Sequence, residues 1–172
     1  MAAGVGARIL VAALGSTLRG DDGFGPALLA RVRPRLPGGV VAGDFGTQGI
    51  ALVQALHAGY DALILLDAHV RGGAPGTVCV VVPDVPVVQR PTTVAGFDAL
   101  ADVHLTDPAK MLLLARALGV LPPAVWLVGC EPQRTADHHL GLSEPVTRAL
   151  VPAVRETLAI VERVQKEHGS AD

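Results

Sequence analysis

Short apolar runs that alternate with segments of helical period constrain the fold of this chain more than any other feature. Five runs have the length and the apolar, β-branched content of buried strands, and they lie at 8–14, 40–43, 62–66, 77–82 and 125–128. Helical periodicity and end signals predict helices at 26–32, with a start near Asp22, and at 50–58, 107–118 and 144–166. Strands that alternate with helices favour right-handed crossovers. We therefore expect an α/β fold, a single three-layer α/β/α domain with a mainly parallel twisted sheet of about five strands.

The composition supports this fold and argues against nucleic-acid binding. Hydrophobic residues make up 50% of the 172 residues and aromatic residues only 3%, so Ala, Val and Leu must fill the core, as in Val-rich parallel sheets. The net charge is -2, and no stretch gathers Lys and Arg into a stripe that would neutralise a phosphate backbone. We expect no nucleic-acid partner.

The sequence shows neither a targeting segment nor a membrane span. Its first residues lack the basic flank and the long apolar run of a signal peptide, and no apolar stretch approaches the roughly 20 residues that a membrane-spanning helix needs. These features predict a cytoplasmic protein with no membrane partner. We expect one domain over residues 1–168 and a frayed tail at 169–172.

The two cysteines are expected to be structural. Cys79 and Cys130 each lie in or just after an apolar run, where a buried, reduced thiol is the usual occupant. Cys130 stands beside Glu131, which leaves a catalytic thiol as the weaker alternative.

The loop after the first strand carries the richest chemistry, a glycine-flanked pair of carboxylates. Its spacing from Gly15 to Gly20 resembles a phosphate-binding loop, but Asp21 and Asp22 stand where that loop has Lys and Ser or Thr, and they would repel phosphate. Carboxylate oxygens between glycines suit a metal ion instead, because the backbone can fold closely around it. The alternative is that Asp22 only caps the following helix, and this segment alone does not decide between the two.

Two further metal-compatible side chains are expected near the same edge of the sheet. Asp67 ends an apolar run, and His104 precedes the helix whose predicted N-cap is Asp107. Ligand sites of such sheets lie beyond the carboxyl ends of the strands. The alternatives are a turn residue for Asp67 and a surface histidine for His104. Asp44, after the second strand, either orients substrate or water or forms a turn.

Taken in order, the motifs of the chain resemble those of the hydrogenase maturation protease family. They span nearly the whole sequence and are Gly15-x-x-Leu18-x-x-Asp21-Asp22-Gly23-x-Gly25, Asp44-x-Gly46-Thr47, Leu66-Asp67-Ala68, His104, Gly129-x-x-Pro132 and Gly141-Leu142-Ser143. The resemblance depends on their order and spacing and not on one short pattern.

The resemblance implies an endopeptidase that removes a short C-terminal extension from the large-subunit precursor of a nickel-iron hydrogenase after nickel has been inserted. It maps the metal-contacting residues of the family onto Asp22, Asp67 and His104. The nickel would arrive with the substrate. We therefore expect this triad to detect nickel loading and to position the scissile bond.

Two departures and one competing ligand accompany the resemblance. Ser16 stands where the family usually has Asn, and Asp22 occupies a position that is Glu in some members, although neither change removes a type of ligand. His69 lies two residues after Asp67 and would share its face if the strand continued, so it either competes as a ligand or is a surface histidine. The remaining histidines are weaker candidates: His57, His138, His139 and His168.

The sequence lacks the elements of the common protease mechanisms, since it has no Gly-x-Ser-x-Gly elbow, no His-Glu-x-x-His helix and no convincing pair of cysteine and histidine. We expect a metal-centred route in which nickel polarises the scissile carbonyl or a bound water. The predicted catalytic residues are Asp22, at the metal, and Asp21 or Asp44 as proton acceptor. The alternative functions are a non-catalytic nickel-sensing chaperone of the large subunit and a metal-dependent hydrolase of small amides.

Overall fold

Five strands form one sheet, and α-helices cover both of its faces. The structure is a computed structural model that describes residues 6–88, 107–133 and 140–170. The strands are β1 (Ile9–Ala13), β2 (Val40–Asp44), β3 (Ala62–Ala68), β4 (Val78–Val81) and β5 (Ala124–Cys130). The helices in the described ranges are α1 (Phe24–Val32), α2 (Gly49–Leu56), α3 (Pro108–Ala117) and α4 (Glu144–Gly169). Short 3-10 turns at Gly20–Gly23 and Arg33–Arg35 precede and follow α1.

The sheet is parallel except at one edge. Its strand order is β2-β1-β3-β5-β4, with β4 antiparallel to β5 and the other neighbours parallel. The register pairs Ala13 with both Asp44 and Leu66, so β1 and β2 end side by side and β3 runs two residues further. We call this end of the parallel strands the carboxyl edge. The predicted α/β fold with a mainly parallel sheet of about five strands is confirmed.

Alternate residues of the central strands pack against different helices and so build three layers. On one face, Val11 and Ile64 lie in a cluster with residues of α1 and α4. On the other face, Leu10 and Leu65 lie in a cluster with residues of α2 and α3. Because helices cover both faces, β1 and most of β3 are continuous apolar runs, which is the pattern that the sequence displays.

The residues that precede α3 and α4 differ in the hydrogen bonds that they make. Asp107 caps α3 as predicted, since its Oδ1 accepts the N–H of Ala109 over 2.9 Å. Ser143 stands at the N-cap position of α4, but its side chain makes no capping hydrogen bond. Its hydroxyl instead donates to Oδ2 of Asp21 over 2.9 Å. The last helix also runs to Gly169, beyond the predicted end at 166.

Candidate active site

Two carboxylates approach each other at the carboxyl edge. Asp22 lies in the 3-10 turn between β1 and α1, and Asp67 is the penultimate residue of β3. Asp67 is 8% exposed, and the charge of Asp22 contributes to the raised pKa of its carboxyl. Two of the three residues predicted to contact a metal therefore share one site.

The loop after β1 turns back on itself to present Asp22. The backbone N–H of Ser16 donates to Oδ2 of Asp22 over 2.8 Å. Gly15 has a φ of +102°, and a Cβ at this position would lie 2.0 Å from the backbone oxygen of Asp22. Only glycine fits that close approach. The alternative of a simple helix cap is not observed, because α1 begins after Gly23 with no side-chain capping bond.

A second close contact places the start of α1 against the strand ends. A Cβ on Gly25 would lie 2.2 Å from the backbone oxygen of Leu14 and 2.3 Å from that of Leu66. The helix can pack this tightly only because the side chain is absent. The contact brings the turn that carries Asp22 close to the end of β3, where Asp67 lies.

Burial and like charge make Asp67 hard to ionise. Burial, followed by the nearby carboxylate of Asp22, raises the pKa of Asp67 from 3.8 to about 7. The N–H of Ala68 lowers the pKa, and the charge of Asp107 raises it. A carboxyl that changes charge near neutral pH inside a cluster of acids is characteristic of functional sites.

Asp107 is the site residue that sequence reasoning assigned only a structural role. It was predicted as a helix cap, and it also lies close enough to Asp67 to affect its pKa. The available signal was its position just after His104 in the chain. His104 lies outside the described residues, so the complete triad stays a prediction. Within residues 6–88, 107–133 and 140–170, no group of three or more His, Cys, Asp or Glu side chains is placed to hold a metal ion.

Asp21 ties three segments together. Its side chain is fully buried and accepts the backbone N–H and the hydroxyl of Ser143, over 2.6 and 2.9 Å, and the backbone N–H of Gln133 over 2.8 Å. These bonds join the loop after β1 to the segment after β5 and to the start of α4. The arrangement favours a structural role for Asp21 over the predicted proton transfer.

Asp44 forms the turn that the sequence offered as one alternative, and it also borders a cleft. Its Oδ1 accepts the N–H of Gly46 over 3.0 Å, which is the predicted turn. Its exposed side chain also lines a cleft of about 280 Å³, whose walls include the loops at 15–18 and 44–48. The N–H of Gly15 donates to the backbone oxygen of Gly46 over 2.9 Å and holds the two loops together. This cleft adjoins the turn that presents Asp22.

The three histidines that the structure describes, His57, His69 and His168, are not grouped with the carboxylate pair as a metal site. His69 lines a separate cavity with Cys79 and Glu131. His57 forms a hydrogen bond from its ring Nδ1 to the backbone oxygen of Val53 over 3.2 Å. His168 lies near the end of α4, and His138 and His139 lie outside the described residues.

The two cysteines differ from each other. Cys130 is fully buried, and this burial raises the pKa of its thiol to about 12, so it is a poor nucleophile. Cys79 lies on the edge strand β4 and is only partly buried. The expectation of a buried thiol is therefore confirmed for Cys130 and wrong for Cys79, because β4 has no neighbouring strand on its outer side in the described sheet.

Comparison with known proteins assigns the chain to one family. A family model described as hydrogenase maturation protease matches residues 31–160. The chain belongs to the hydrogenase maturation protease family. It is thus placed among peptidases, which are hydrolases.

Curated relatives of this protease family cover most of the chain. The hydrogenase expression/formation protein HoxM of Azotobacter vinelandii is 37% identical over 153 residues, which are 87% of this chain and 70% of that protein. The hydrogenase expression/formation protein HupD of Rhizobium leguminosarum bv. viciae is 35% identical over 159 residues, which are 91% of this chain and 74% of that protein.

Solved structures of maturation proteases share the fold. The hydrogenase maturating endopeptidase HybD from E. coli matches with a TM-score of 0.73 and 31% identity, over 91% of this chain and 93% of that chain. A hydrogenase 2 maturation peptidase from a Thaumarchaeota archaeon matches with a TM-score of 0.64 and 33% identity, over 90% of this chain and 97% of that chain. Across the described parts of this family member, no helix is both long and apolar enough to cross a membrane.

Replacing Asp21 tests whether its hydrogen bonds stabilise the fold by linking three segments. Asp21→Asn should lower the free energy of unfolding by about 2–3 kcal/mol. The donors bond to both carboxylate oxygens of Asp21, whereas the amide of Asn has only one acceptor oxygen and would place its NH₂ group against the remaining donors. Urea denaturation measures the effect. Asp84→Asn, at an exposed carboxylate, is the control and should change stability by less than about 0.5 kcal/mol. Equal effects of the two substitutions would contradict the structural role.

The raised pKa of Asp67 predicts an unusual dependence of stability on pH. Below pH 4 the carboxyl is protonated in both the folded and the unfolded state, whereas between pH 4 and about 7 only the folded state keeps the proton. Stability should therefore fall as pH rises through this window, at up to roughly 1.4 kcal/mol per pH unit. Above pH 7 the carboxyl is ionised in both states, and the folded state bears the whole free-energy cost of ionising Asp67.

Asp67→Asn removes this ionisation while nearly preserving shape. The variant should be more stable than the unsubstituted protein at pH 8, by up to about 4 kcal/mol, and should match it near pH 4. Denaturant unfolding curves at the two pH values measure the difference. A variant that is less stable at pH 8 would show that the ionised carboxylate stabilises the fold.

Proposed function

We propose that this chain is an endopeptidase that removes the C-terminal extension from the nickel-loaded large-subunit precursor of a nickel-iron hydrogenase. The observation that carries the proposal is the pair of adjacent carboxylates, Asp22 and Asp67, at the carboxyl edge of a chain of this family. Relatives named as hydrogenase expression/formation proteins and as a hydrogenase maturating endopeptidase support this choice of substrate. In this proposal the nickel is part of the substrate.

Repulsion within the carboxylate pair supplies the selectivity. At neutral pH Asp67 is only partly ionised, because burial and the charge of Asp22 oppose the loss of its proton. A divalent cation carried by the substrate reverses this balance, since both carboxylates then gain an attractive partner. A precursor without nickel gives no such gain and binds more weakly, although its peptide sequence is unchanged.

The third contact with the nickel is assigned to His104. Asp107 supports this assignment, because it follows His104 in the chain and lies near Asp67. Two carboxylate oxygens and one imidazole nitrogen suit a borderline metal and leave further positions for ligands from the precursor. An incomplete set of protein ligands also makes free metal bind weakly, so that tight binding needs both partners.

The cleft beside Asp22 is the proposed site for the polypeptide next to the scissile bond. Its walls are two loops of the carboxyl edge, and its volume of about 280 Å³ accommodates one or two residues of an extended chain. Asp44 lies in this cleft with its carboxylate exposed, whereas Asp21 is buried and accepts hydrogen bonds from Ser143 and Gln133. Of the two predicted proton acceptors, we therefore assign the role to Asp44.

A processing assay tests the proposal. Purified protein should shorten a nickel-loaded large-subunit precursor and leave the nickel-free precursor intact, as followed by the mass of the subunit. Asp67→Asn should abolish processing because a neutral amide contacts the cation less strongly. Asp84→Asn, far less buried, is the matched control and should process at the unsubstituted rate.

Each contrary result of this assay has a defined meaning. Equal cleavage of both precursors would overturn nickel recognition while leaving the peptidase activity. Binding of the nickel-loaded precursor without cleavage would support the nickel-sensing chaperone. Hydrolysis of simple amides in the absence of any hydrogenase subunit would support the small-amide hydrolase.

A further inference from the structure

The side chains of Cys79 and His69 both lie over Gly129, in a cavity beside the pair formed by Asp22 and Asp67. Asp67 on β3 and Cys79 on β4 are both register partners of Gly129 in β5. Their side chains therefore emerge on the same face of the sheet, one on each side of this glycine. His69 lies two residues beyond Asp67, and its backbone N–H donates to the oxygen of Cys130 over 2.9 Å, which keeps it in line with the strand.

The missing side chain of Gly129 creates the space in which the two groups approach. A Cβ on this residue would lie 2.7 Å from Cβ of His69 and 3.1 Å from Sγ of Cys79. Cβ of His69 and Sγ of Cys79 therefore both pack over Gly129, and the ring Cγ of His69 lies 3.4 Å from the same point. Both line a cavity of about 300 Å³, and Cys79 is partly exposed, so a small ion can reach the sulfur.

Glu131 adds negative charge to this cavity without acting as a ligand. Its carboxylate accepts the backbone N–H groups of Arg71 and Gly72 over 2.7 and 3.3 Å. These bonds, first that of Arg71, lower the pKa of the Glu131 carboxyl, so it stays ionised. Arg71 also lines the cavity, but its side chain is exposed and long enough to keep its charge in solvent.

We propose that Cys79 and His69 form a second metal site, which takes a borderline-soft divalent ion such as Ni²⁺, Co²⁺ or Zn²⁺. Thiolate sulfur and imidazole nitrogen select such ions over Mg²⁺ and Ca²⁺. Binding releases the thiol proton to solvent and leaves the other coordination positions to water. Because two side chains are fewer than the ligands of a closed structural site, the ion is held weakly and exchanges.

This site is independent of the residues proposed to contact the nickel of the substrate. Cys79 and Asp67 lie two strands apart across Gly129, which corresponds to roughly 10 Å between their backbones. Among the described residues, the cavity that Cys79 and His69 line has neither Asp22 nor Asp67 in its walls. Metal bound here stands next to the processing site and not within it.

Cobalt binding to the purified full chain tests the proposal. Titration with Co²⁺ under reducing conditions should produce the near-ultraviolet charge-transfer absorption of a thiolate bound to cobalt. Cys79→Ser should abolish this absorption, and His69→Gln should weaken Co²⁺ binding by at least roughly tenfold. Cys130→Ala is the matched control and should keep the absorption, because Cys130 is buried away from solvent.

Two further samples keep the result interpretable. Iodoacetamide treatment of the folded protein should modify Cys79 and not Cys130, and it should abolish the absorption even if Cys79→Ser fails to fold. Asp67→Asn should lose precursor processing but keep the cobalt absorption, which separates this site from the proposed function. Absence of the absorption in the unsubstituted protein, or its survival after Cys79 is replaced or alkylated, would overturn the proposal.

Discussion

Burial of Asp67 beside the carboxylate of Asp22 is the constraint from which the properties of the candidate site follow. Burial and the charge of Asp22 raise the pKa of Asp67 to about 7, so the folded chain resists a second full negative charge at this point. Two carboxylates that were free in water would move apart. The tight packing of α1 against the ends of β1 and β3, through Gly25, prevents this. The proposed function uses the arrangement, because a cation brought by the substrate relieves the repulsion.

Asp21 and Asp22 are neighbours in the sequence, but their side chains have different roles in the structure. Asp21 is buried and has hydrogen-bond donors from Ser143 and Gln133, so its charge is satisfied within the protein. Asp22 accepts the N–H of Ser16 and adds its charge to that of Asp67. The first carboxylate fixes the turn, and the second is thereby positioned toward β3. A short 3-10 turn suits this division, because it directs consecutive side chains to different surroundings.

The sequence predicted the parts of the molecule that depend on local pattern. Buried parallel strands are apolar on both faces, so the runs that became β1 and β3 were recognisable, and the topology then predicted a candidate site at their carboxyl edge. Contacts between distant segments could not be predicted. The hydroxyl of Ser143 bonds Asp21 and not its own helix, and Asp107 affects Asp67 although it caps α3. The exposure of Cys79 likewise depends on its strand being at the sheet edge, which strand order decides.

Nickel K-edge X-ray absorption on the enzyme–precursor complex tests the central proposal most directly, since it observes the ligands of the metal itself. Nickel-loaded precursor would be mixed with the protein and frozen before processing, with Asp67→Asn as the comparison. If Asp22 and Asp67 contact the nickel, the unsubstituted protein adds oxygen neighbours at about 2 Å from the metal, and the variant adds fewer. If the complex forms and the nickel coordination shell stays the same, these carboxylates do not contact the nickel, which would contradict the proposal.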